Sequence, residues 1–151
     1  MEWVASFRGK TVGLDTAPII YFIEGNPLYV EMMRSFFLAV QKDEFAVVTS
    51  TITLLETLVV PLRHGNINLA QQYRDILFKT KGHMTISLFP RIAEEAARLR
   101  ATYKIRTPDS IQMATAVFGG ASFFLTNDTH LPTLPNLKTL VLEDLKKASE
   151  G

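Results

Sequence analysis

Short apolar runs alternate along the chain with longer segments in which apolar residues recur at the spacing of a helix. Runs of the first kind are typical of buried strands. The chain has five of them, at residues 11–14, 45–49, 84–88, 122–126 and 138–142. Strands separated by helical segments favour a parallel sheet. We therefore predict an α/β fold, a three-layer α/β/α sandwich with a central, mainly parallel sheet.

Helical spacing is clearest after Asn26 and Pro27, which we predict to begin a helix. Its large apolar residues follow the spacing of one buried face. They are Tyr29, Met32, Met33, Phe36, Phe37 and Val40. Residues 52–62 predict another helix, apolar on nearly every side and kinked or ended near Pro61 because proline cannot donate a backbone hydrogen bond.

Local signals predict the starts of three further helices. Asn68 and Gln71 resemble a capping box, in which two side chains satisfy the first free N–H groups of a helix. Thr107 is expected to cap a helix with Pro108 as its first residue. Pro18 is expected to hold the corresponding first position after the opening strand, because its φ angle already suits a helix.

Composition limits the kind of protein that this can be. A chain of 151 residues, 47% hydrophobic and 21% charged, is typical of one globular domain, so we expect a single domain over residues 1–151. The absence of cysteine excludes disulfides, thiolate chemistry and zinc–thiolate sites. Residues 1–10 are too polar for a signal peptide, and polar residues interrupt the apolar segment 52–62, so we expect a cytoplasmic protein without a membrane span.

A net charge of only +1 means that an anionic partner must be held by a local patch or by metal. The basic residues that could contact phosphates are Arg8, Lys10, Arg63, Lys79, Lys81, Arg100, Lys104 and Arg106. Arg106 is the best candidate among them, because it precedes an acidic helix start. The three histidines, at positions 64, 83 and 130, are too scattered for a zinc motif and are predicted to lie at the surface.

Four acidic residues fall directly after predicted strands or near the starts of helices. They are Asp15, Glu56, Asp109 and Asp128. In a parallel sheet these positions lie at the carboxyl edge, where ligands bind. Carboxylate oxygens without cysteine or clustered histidine suit hard divalent cations. The four acids together therefore predict a metal site.

Each acid also has a purely structural interpretation. Asp15 could cap the helix that follows it. Glu56 could close a capping box with Thr53, and Asp109 could favour the dipole of its helix. Asp128 could be a turn residue.

The order of these motifs resembles the PIN-domain ribonucleases, a family that includes the VapC-type toxins of toxin–antitoxin pairs. The resemblance rests on Leu-Asp-Thr at 14–16, on Glu56 in a helix after the second strand, on the segment 107–116, and on Leu-Thr-Asn-Asp at 125–128. It covers essentially the whole chain. It implies the same sandwich fold and hydrolysis of RNA.

By that resemblance Asp15, Glu56, Asp109 and Asp128 would bind Mg²⁺ or Mn²⁺. Supporting polar residues would be Thr16, Thr126 and Asn127, with Arg106 near the substrate. The family also implies a homodimer and a cognate antitoxin that covers the acidic site, often through a basic side chain. The predicted function is therefore a metal-dependent endoribonuclease, the toxin of such a pair.

The residues themselves support phosphodiester hydrolysis, because divalent ions lower the pKa of bound water and stabilise charge on a displaced phosphate. Asp15 and Asp109 would be direct ligands. Glu56 would be a ligand or would orient a bound water, and Asp128 would serve a second metal or an outer position.

Two other functions lack the residues that they require, and two alternatives stay open. A haloacid-dehalogenase-type phosphatase would need an acid where Ala17 stands, and a dinucleotide-binding module would need a G-x-G-x-x-G motif, which is absent. A noncatalytic PIN-like binding or scaffold domain, and an RNA-processing nuclease without an antitoxin, both fit the pattern.

Large aromatic residues also suggest a contact with another chain. We expect part of the face from Tyr29 to Phe37, or of the region around Phe118, Phe123 and Phe124, to be covered by a partner. The alternative is that all of these side chains belong to the core of the monomer.

Overall fold

The computed structural model describes residues 1–150, in which strands and helices alternate. The strands are β1 (Thr11–Leu14), β2 (Ala46–Ser50), β3 (His83–Ile86), β4 (Phe123–Thr126) and β5 (Lys138–Val141). The helices are α1 (Glu2–Ala5), α2 (Thr16–Ile23), α3 (Val30–Gln41), α4 (Thr51–Arg63), α5 (Ile67–Phe78), α6 (Pro90–Thr102), α7 (Thr107–Phe118) and α8 (Leu142–Glu150). All five predicted strands are present, within two residues of the expected bounds.

The five strands form one parallel sheet in the order β3-β2-β1-β4-β5. The chain runs outward from β1 through β2 to β3, and then returns to β4 on the other side of β1. The strand order therefore reverses between β1 and β4, and at such a point the loops diverge and leave a crevice at the carboxyl ends of the strands.

Helices cover both faces of the sheet, and an apolar core lies on each side. One core joins α1, α3 and α5 to the sheet through residues such as Phe7, Phe36 and Tyr73. The other joins α6 and α7 to the opposite face through residues such as Ile92 and Met113. The predicted three-layer sandwich is confirmed.

The apolar face of α3 lies inside the molecule. All six residues predicted for this face are buried within the chain's own core, so another chain cannot cover it. The helix begins at Val30 rather than at Asn26, because residues 26–29 form a turn in which the Asn26 side chain accepts a hydrogen bond from the backbone N–H of Leu28 (2.9 Å). Phe124 is also buried, whereas Phe118 is 43% exposed.

Two predicted helix starts are displaced along the chain. Helix α5 is capped by Asn66, whose Oδ1 accepts from the backbone N–H of Leu69, so the capping box expected at Asn68 is wrong. Helix α7 has Arg106 at the capping position without a side-chain cap, and Thr107 and Pro108 are its first two residues. A proline fits either of the first two positions because their N–H groups have no partner within the helix.

Helix α4 continues past Pro61 to Arg63, and its inward side is partly polar. Its three buried residues are Thr53, Thr57 and Pro61. The large apolar residues Leu55, Val59, Val60 and Leu62 are 45–61% exposed. Helix α4 is therefore not enclosed by the core, although it is apolar on nearly every side. Within residues 1–150, no helix has the length and apolar character needed to cross a membrane.

Candidate acidic site

Asp15 stands at the junction between β1 and α2, beside the point where the strand order reverses. Its Oδ1 accepts a hydrogen bond from the backbone N–H of Thr16 (2.8 Å), and its Oδ2 accepts from Thr126 Oγ1 (2.7 Å). Asp15 therefore caps α2 and also faces the carboxyl edge of the sheet. Because α2 begins at Thr16, Pro18 is its third residue rather than its first.

Burial raises the pKa of Asp15 from 3.8 to about 6, because desolvation disfavours the charged form. Hydrogen bonds from Thr126 and Thr16 lower this pKa, and the negative charges of Asp109 and Glu56 raise it. These two acids come from helices α7 and α4, so the fold brings three of the predicted carboxylates within electrostatic range. Within residues 1–150, Asp15 itself forms no ion pair with a basic side chain.

Glu56 is held by α2 rather than by the start of its own helix. Its Oε1 accepts a hydrogen bond from Thr16 Oγ1 (2.7 Å). The residue that caps α4 is Ser50, whose hydroxyl accepts from the N–H of Ile52 (3.1 Å). The capping box between Thr53 and Glu56 is therefore absent, and the contact with Thr16 directs Glu56 toward Asp15.

Asp109 is buried in the first turn of α7 and forms an ion pair with Arg106. The Nε of Arg106 lies 3.1 Å from Asp109 Oδ2, while the Arg106 side chain is 76% exposed. The carboxylate of Asp109 raises the pKa of Arg106, and the charges of Asp128 and Glu56 act in the same direction. Arg106 thus supplies a positive charge at the rim of the acidic group.

Asp128 and Asn127 follow β4 and are fixed by the turn that they form. The Asp128 carboxylate accepts from the backbone N–H of His130 (2.8 Å), as in the turn interpretation. Asn127 donates to the hydroxyl of Tyr21 (3.1 Å), and its Oδ1 accepts from the backbone N–H of Glu143 (2.9 Å). The start of α8, a helix that was not predicted, therefore orients Asn127.

All of the residues predicted for the site line one cleft of about 290 Å³. These are Asp15, Thr16, Glu56, Arg106, Asp109, Thr126, Asn127 and Asp128. Ala17, Ile20 and Tyr21 complete its wall. The sequence argument did not include Tyr21 in the site, although it lies six residues after Asp15, on α2.

The donor set of this cleft suits a hard divalent cation, since every candidate ligand is a carboxylate oxygen. Within residues 1–150, however, no group of three or more acidic or histidine side chains is arranged to hold a metal ion as the side chains stand. Asp109 is paired with Arg106 and Glu56 with Thr16. The fit is thus one of chemistry and charge, and Arg106 contacts only the Oδ2 atom of the Asp109 carboxylate.

Most of the other basic candidates lie away from the cleft. Arg8 pairs with Glu44 (3.1 Å) and Lys81 with Asp43 (2.9 Å), near the starts of the strands and so at the opposite edge of the sheet. Lys10 lies over the ring of Phe123 at that same edge. Lys79 pairs with Asp75 (3.2 Å) at the end of α5, and Arg63 and Lys104 are exposed.

Arg100 supports the loop before α7. Its guanidinium donates to the backbone carbonyl of Ile105 (3.0 Å) and to the hydroxyl of Thr107 (2.8 Å). Arg106 is therefore the one member of the predicted basic set that lines the acidic cleft.

The histidines do not contribute to the cleft, and one of them is buried. His83 lies on β3, where its Nε2 is 2.7 Å from Thr49 Oγ1 and burial lowers its pKa to about 4. The prediction that it lies at the surface is wrong, because α5 packs against β3 and Phe37 of α3 stacks on the imidazole ring. His64 and His130 are exposed as expected.

The family model of the PIN domain matches residues 12–137 of the chain. None of the curated proteins compared with the chain matches it. Solved structures with a similar fold include the three described here. A toxin–antitoxin complex from Klebsiella pneumoniae is 22% identical, with 84% of this chain and 94% of that chain covered and a TM-score of 0.62.

The second structure is VapBC2 from Rickettsia felis bound to a DNA fragment from its promoter. It is 18% identical over 87% of this chain and 98% of that chain, with a TM-score of 0.68. The third is DNA-bound VapBC from Salmonella typhimurium, 18% identical over 88% and 98% of the two chains, with a TM-score of 0.59. At these identities the likeness shows a shared fold.

Proposed function

The chain belongs to the PIN domain family, and on that premise we propose that it is a metal-dependent endoribonuclease that acts as the toxin of a toxin–antitoxin pair. The observation that carries this proposal is the cleft in which Asp15, Glu56, Asp109 and Asp128 meet. Four acids from separate parts of the chain line one cleft where the strand order reverses. Carboxylates held this close repel one another, and a bound cation would offset that repulsion.

The chain's own residues would divide the work of RNA hydrolysis among them. Asp15 and Asp109 would hold Mg²⁺ or Mn²⁺, Glu56 would bind the ion or orient a water, and Asp128 would complete the outer part of the site. A divalent ion bound there would activate water and stabilise charge on the phosphate. Thr16, Thr126 and Asn127 would keep the carboxylates and their surroundings in place through the hydrogen bonds described above.

Arg106 is proposed to contact the RNA backbone. Its guanidinium is largely exposed at the rim of the cleft and reaches Asp109 through Nε. It makes this contact through Nε, which leaves the two terminal nitrogens to donate to a phosphate oxygen. Arg106 would therefore bind the RNA backbone beside the acids.

We further propose that this single domain, residues 1–151, forms a homodimer and binds an antitoxin protein. The structures with a similar fold include toxin–antitoxin complexes. The ion pair between Arg106 and Asp109 supports the antitoxin part of the proposal, because it brings a guanidinium to one of the acids at the rim of the cleft. A basic side chain from an antitoxin could enter in the same way and would replace the charge of the metal.

Cleavage of single-stranded RNA tests the catalytic part of this proposal. In the presence of Mn²⁺, we expect the purified chain to cleave, and Asp109→Asn to remain folded but to lose about 100-fold or more in rate, the scale of losing a group that stabilises charge in the transition state. Asp144→Asn removes the same charge from an exposed position in α8 and should cleave like the wild type. Equal cleavage by Asp109→Asn would contradict the assignment, and a failure of the wild type to bind Mn²⁺ would favour a noncatalytic PIN-like domain.

Growth of a host that expresses the chain tests the toxin part. Expression of the wild type should slow growth, and Asp15→Asn should abolish the effect at equal protein levels. Normal growth in the presence of folded, RNA-cleaving wild type would exclude the toxin assignment and leave a nuclease without an antitoxin.

A further inference from the structure

A network of four polar side chains from three helices lies behind the acidic cleft. Gln112 of α7 donates through its Nε2 to Thr16 Oγ1 of α2 (3.0 Å) and to Thr53 Oγ1 of α4 (2.6 Å). The two hydroxyls are 2.9 Å apart, and Thr16 donates to Glu56 (2.7 Å). Thr16, Thr53 and Gln112 are at most 9% exposed, whereas Glu56 is exposed.

The hydrogen atoms available to this network determine its direction. Two come from the Gln112 amide and one from each threonine hydroxyl, which matches the four contacts in number. A carboxylate only accepts, so the Thr16 hydrogen must point to Glu56. Thr16 then accepts from both Gln112 and Thr53, and Thr53 accepts from Gln112. Every hydrogen bond is thus directed from Gln112 toward Glu56.

The opposite orientation of the Gln112 amide cannot satisfy the same contacts. With Oε1 in place of Nε2, the two threonine hydrogens would have to serve all four contacts, and lone pairs would face each other in two of them. The orientation found has its own cost, because Gln112 Oε1 is buried and has no hydrogen-bond partner within residues 1–150. A buried acceptor without a partner loses its hydration, so the contacts at Nε2 must outweigh that loss.

We propose that Gln112 is a positioning residue of the acidic site, which acts through Thr16 and Thr53 to hold the Glu56 carboxylate toward the cleft. Packing alone does not hold Glu56, because its side chain lies on the exposed side of α4. Gln112 itself does not line the cleft. The inference rests on the proposed function only in treating Glu56 as part of the metal site.

A double-mutant cycle between Gln112 and Glu56 tests this role. Gln112→Met keeps the length of the side chain and removes its donors, so Mn²⁺ affinity measured by calorimetry, or kcat on RNA, should fall about 10-fold or more, as for other residues that orient ligands. In a Glu56→Ala background the same change should have little further effect, because the carboxylate that Gln112 positions is absent. Gln112→Leu, which also removes both amide donors and adds no charge, is a second variant should Gln112→Met fail to fold.

Thr115→Val provides the matched control. Thr115 is a buried polar residue of the same helix, and its hydroxyl bonds only to the backbone carbonyl of Ile111. This variant should keep wild-type metal affinity and kcat. Unchanged values in Gln112→Met, or losses that simply add in the double variant, would overturn the positioning role and leave Gln112 as a core residue.

A spectroscopic measurement separates this proposal from the proposed function. The side-chain amide resonances of Gln112 should shift in Glu56→Ala, although Gln112 and Glu56 are linked only through the hydroxyls. If wild type neither binds Mn²⁺ nor cleaves RNA, the function fails while such a shift still supports the link. If the resonances do not move, the link fails whatever the activity.

Discussion

Individual residues of the acidic site make local structural contacts and line the cleft at the same time. Asp15 caps α2 and lines the cleft, and Asp128 closes its own turn and lines the same cleft. The structural and functional interpretations of these two acids are therefore compatible. For Glu56 the capping interpretation fails, because its carboxylate accepts a hydrogen bond from Thr16 on another helix.

Asp15→Asn is expected to stabilise the protein when no divalent metal is present. The pKa of Asp15 is about 6 in the fold against 3.8 ordinarily, so the native state binds the proton more tightly and stability falls as the pH rises from about 4 to 6. Above that range the ionised Asp15 lowers the free energy of unfolding by up to about 3 kcal/mol. Urea denaturation in chelator at about pH 7.5 should show Asp15→Asn to be more stable, with no difference near pH 3.

With divalent metal, wild type should become more stable than Asp15→Asn. Mn²⁺ would supply the missing positive charge and raise the melting temperature of wild type, while Asp15→Asn should respond weakly. Asp144→Asn makes the same change in net charge and should respond as wild type does. Identical melting temperatures of wild type with metal and with chelator would count against a shared carboxylate site.

His83 is expected to weaken the fold at acidic pH. Burial lowers its pKa to about 4, so the unfolded state binds the proton more readily, and stability is lost as the pH falls from about 6.5 through 4. The loss should approach about 3 kcal/mol over that range. His83→Gln should reduce the slope of unfolding free energy against pH, whereas His64→Gln, at an exposed position, should leave it intact. Equal slopes in all three proteins would contradict the burial of a neutral imidazole.

The contact between β1 and α7 is close because Gly13 has no side chain. A Cβ at this position would lie 2.4 Å from the Cβ of Ala116 and 3.1 Å from a ring carbon of Phe124. Since α7 carries both Asp109 and Gln112, this close packing sets the distance between those residues and the sheet.

Gly13→Ala is therefore expected to destabilise the protein by about 1–3 kcal/mol, the usual cost of overpacking a core. Ala116→Gly removes the nearer of the two obstacles, so the double variant should recover part of the loss. Chemical denaturation of the four proteins would measure this coupling. Additive losses in the double variant would mean that the strain lies elsewhere.

The protein as a whole leaves an apolar surface on α4 beside the acidic cleft. Leu55, Val59 and Leu62 lie on one side of this helix at helical spacing, and Val60 lies one turn beyond Glu56. All four are exposed. Exposed apolar residues in a contiguous group are typical of a protein–protein interface. We place the proposed homodimer on this surface, since the α3 face is interior and Phe118 is the one exposed member of the aromatic group at 118, 123 and 124.

Replacing Val59 and Leu62 together by lysine should convert the dimer to a monomer. Two charges introduced into an apolar contact lose hydration without gaining a partner, which opposes association. Sedimentation velocity at micromolar concentration would measure the change. Leu28→Lys alters another exposed apolar residue outside α4 and should leave the dimer intact. A wild-type monomer throughout this range would exclude the homodimer.

The sequence alone determined the architecture and the positions of the four acids. Buried parallel strands are apolar over their whole length, so residues 11–14 and 122–126 were visible from their own composition. An acid that follows such a strand in the sequence lies at the carboxyl end of that strand in the fold. For the same reason Asp15, Glu56, Asp109 and Asp128 could be assigned to one edge of the sheet.

Only the tertiary structure decided what those residues touch. Gln112 meets Thr16 across 96 positions of sequence, and His83 is buried because α5 packs against β3 and Phe37 of α3 stacks on its ring. Which side of α4 faces solvent likewise depends on how the helices pack together. An apolar pattern reports how strongly a segment tends to be buried, but the partner that buries it comes from a distant part of the chain. Local spacing therefore located the acidic site, and helix packing determined the hydrogen bonds and charges within it.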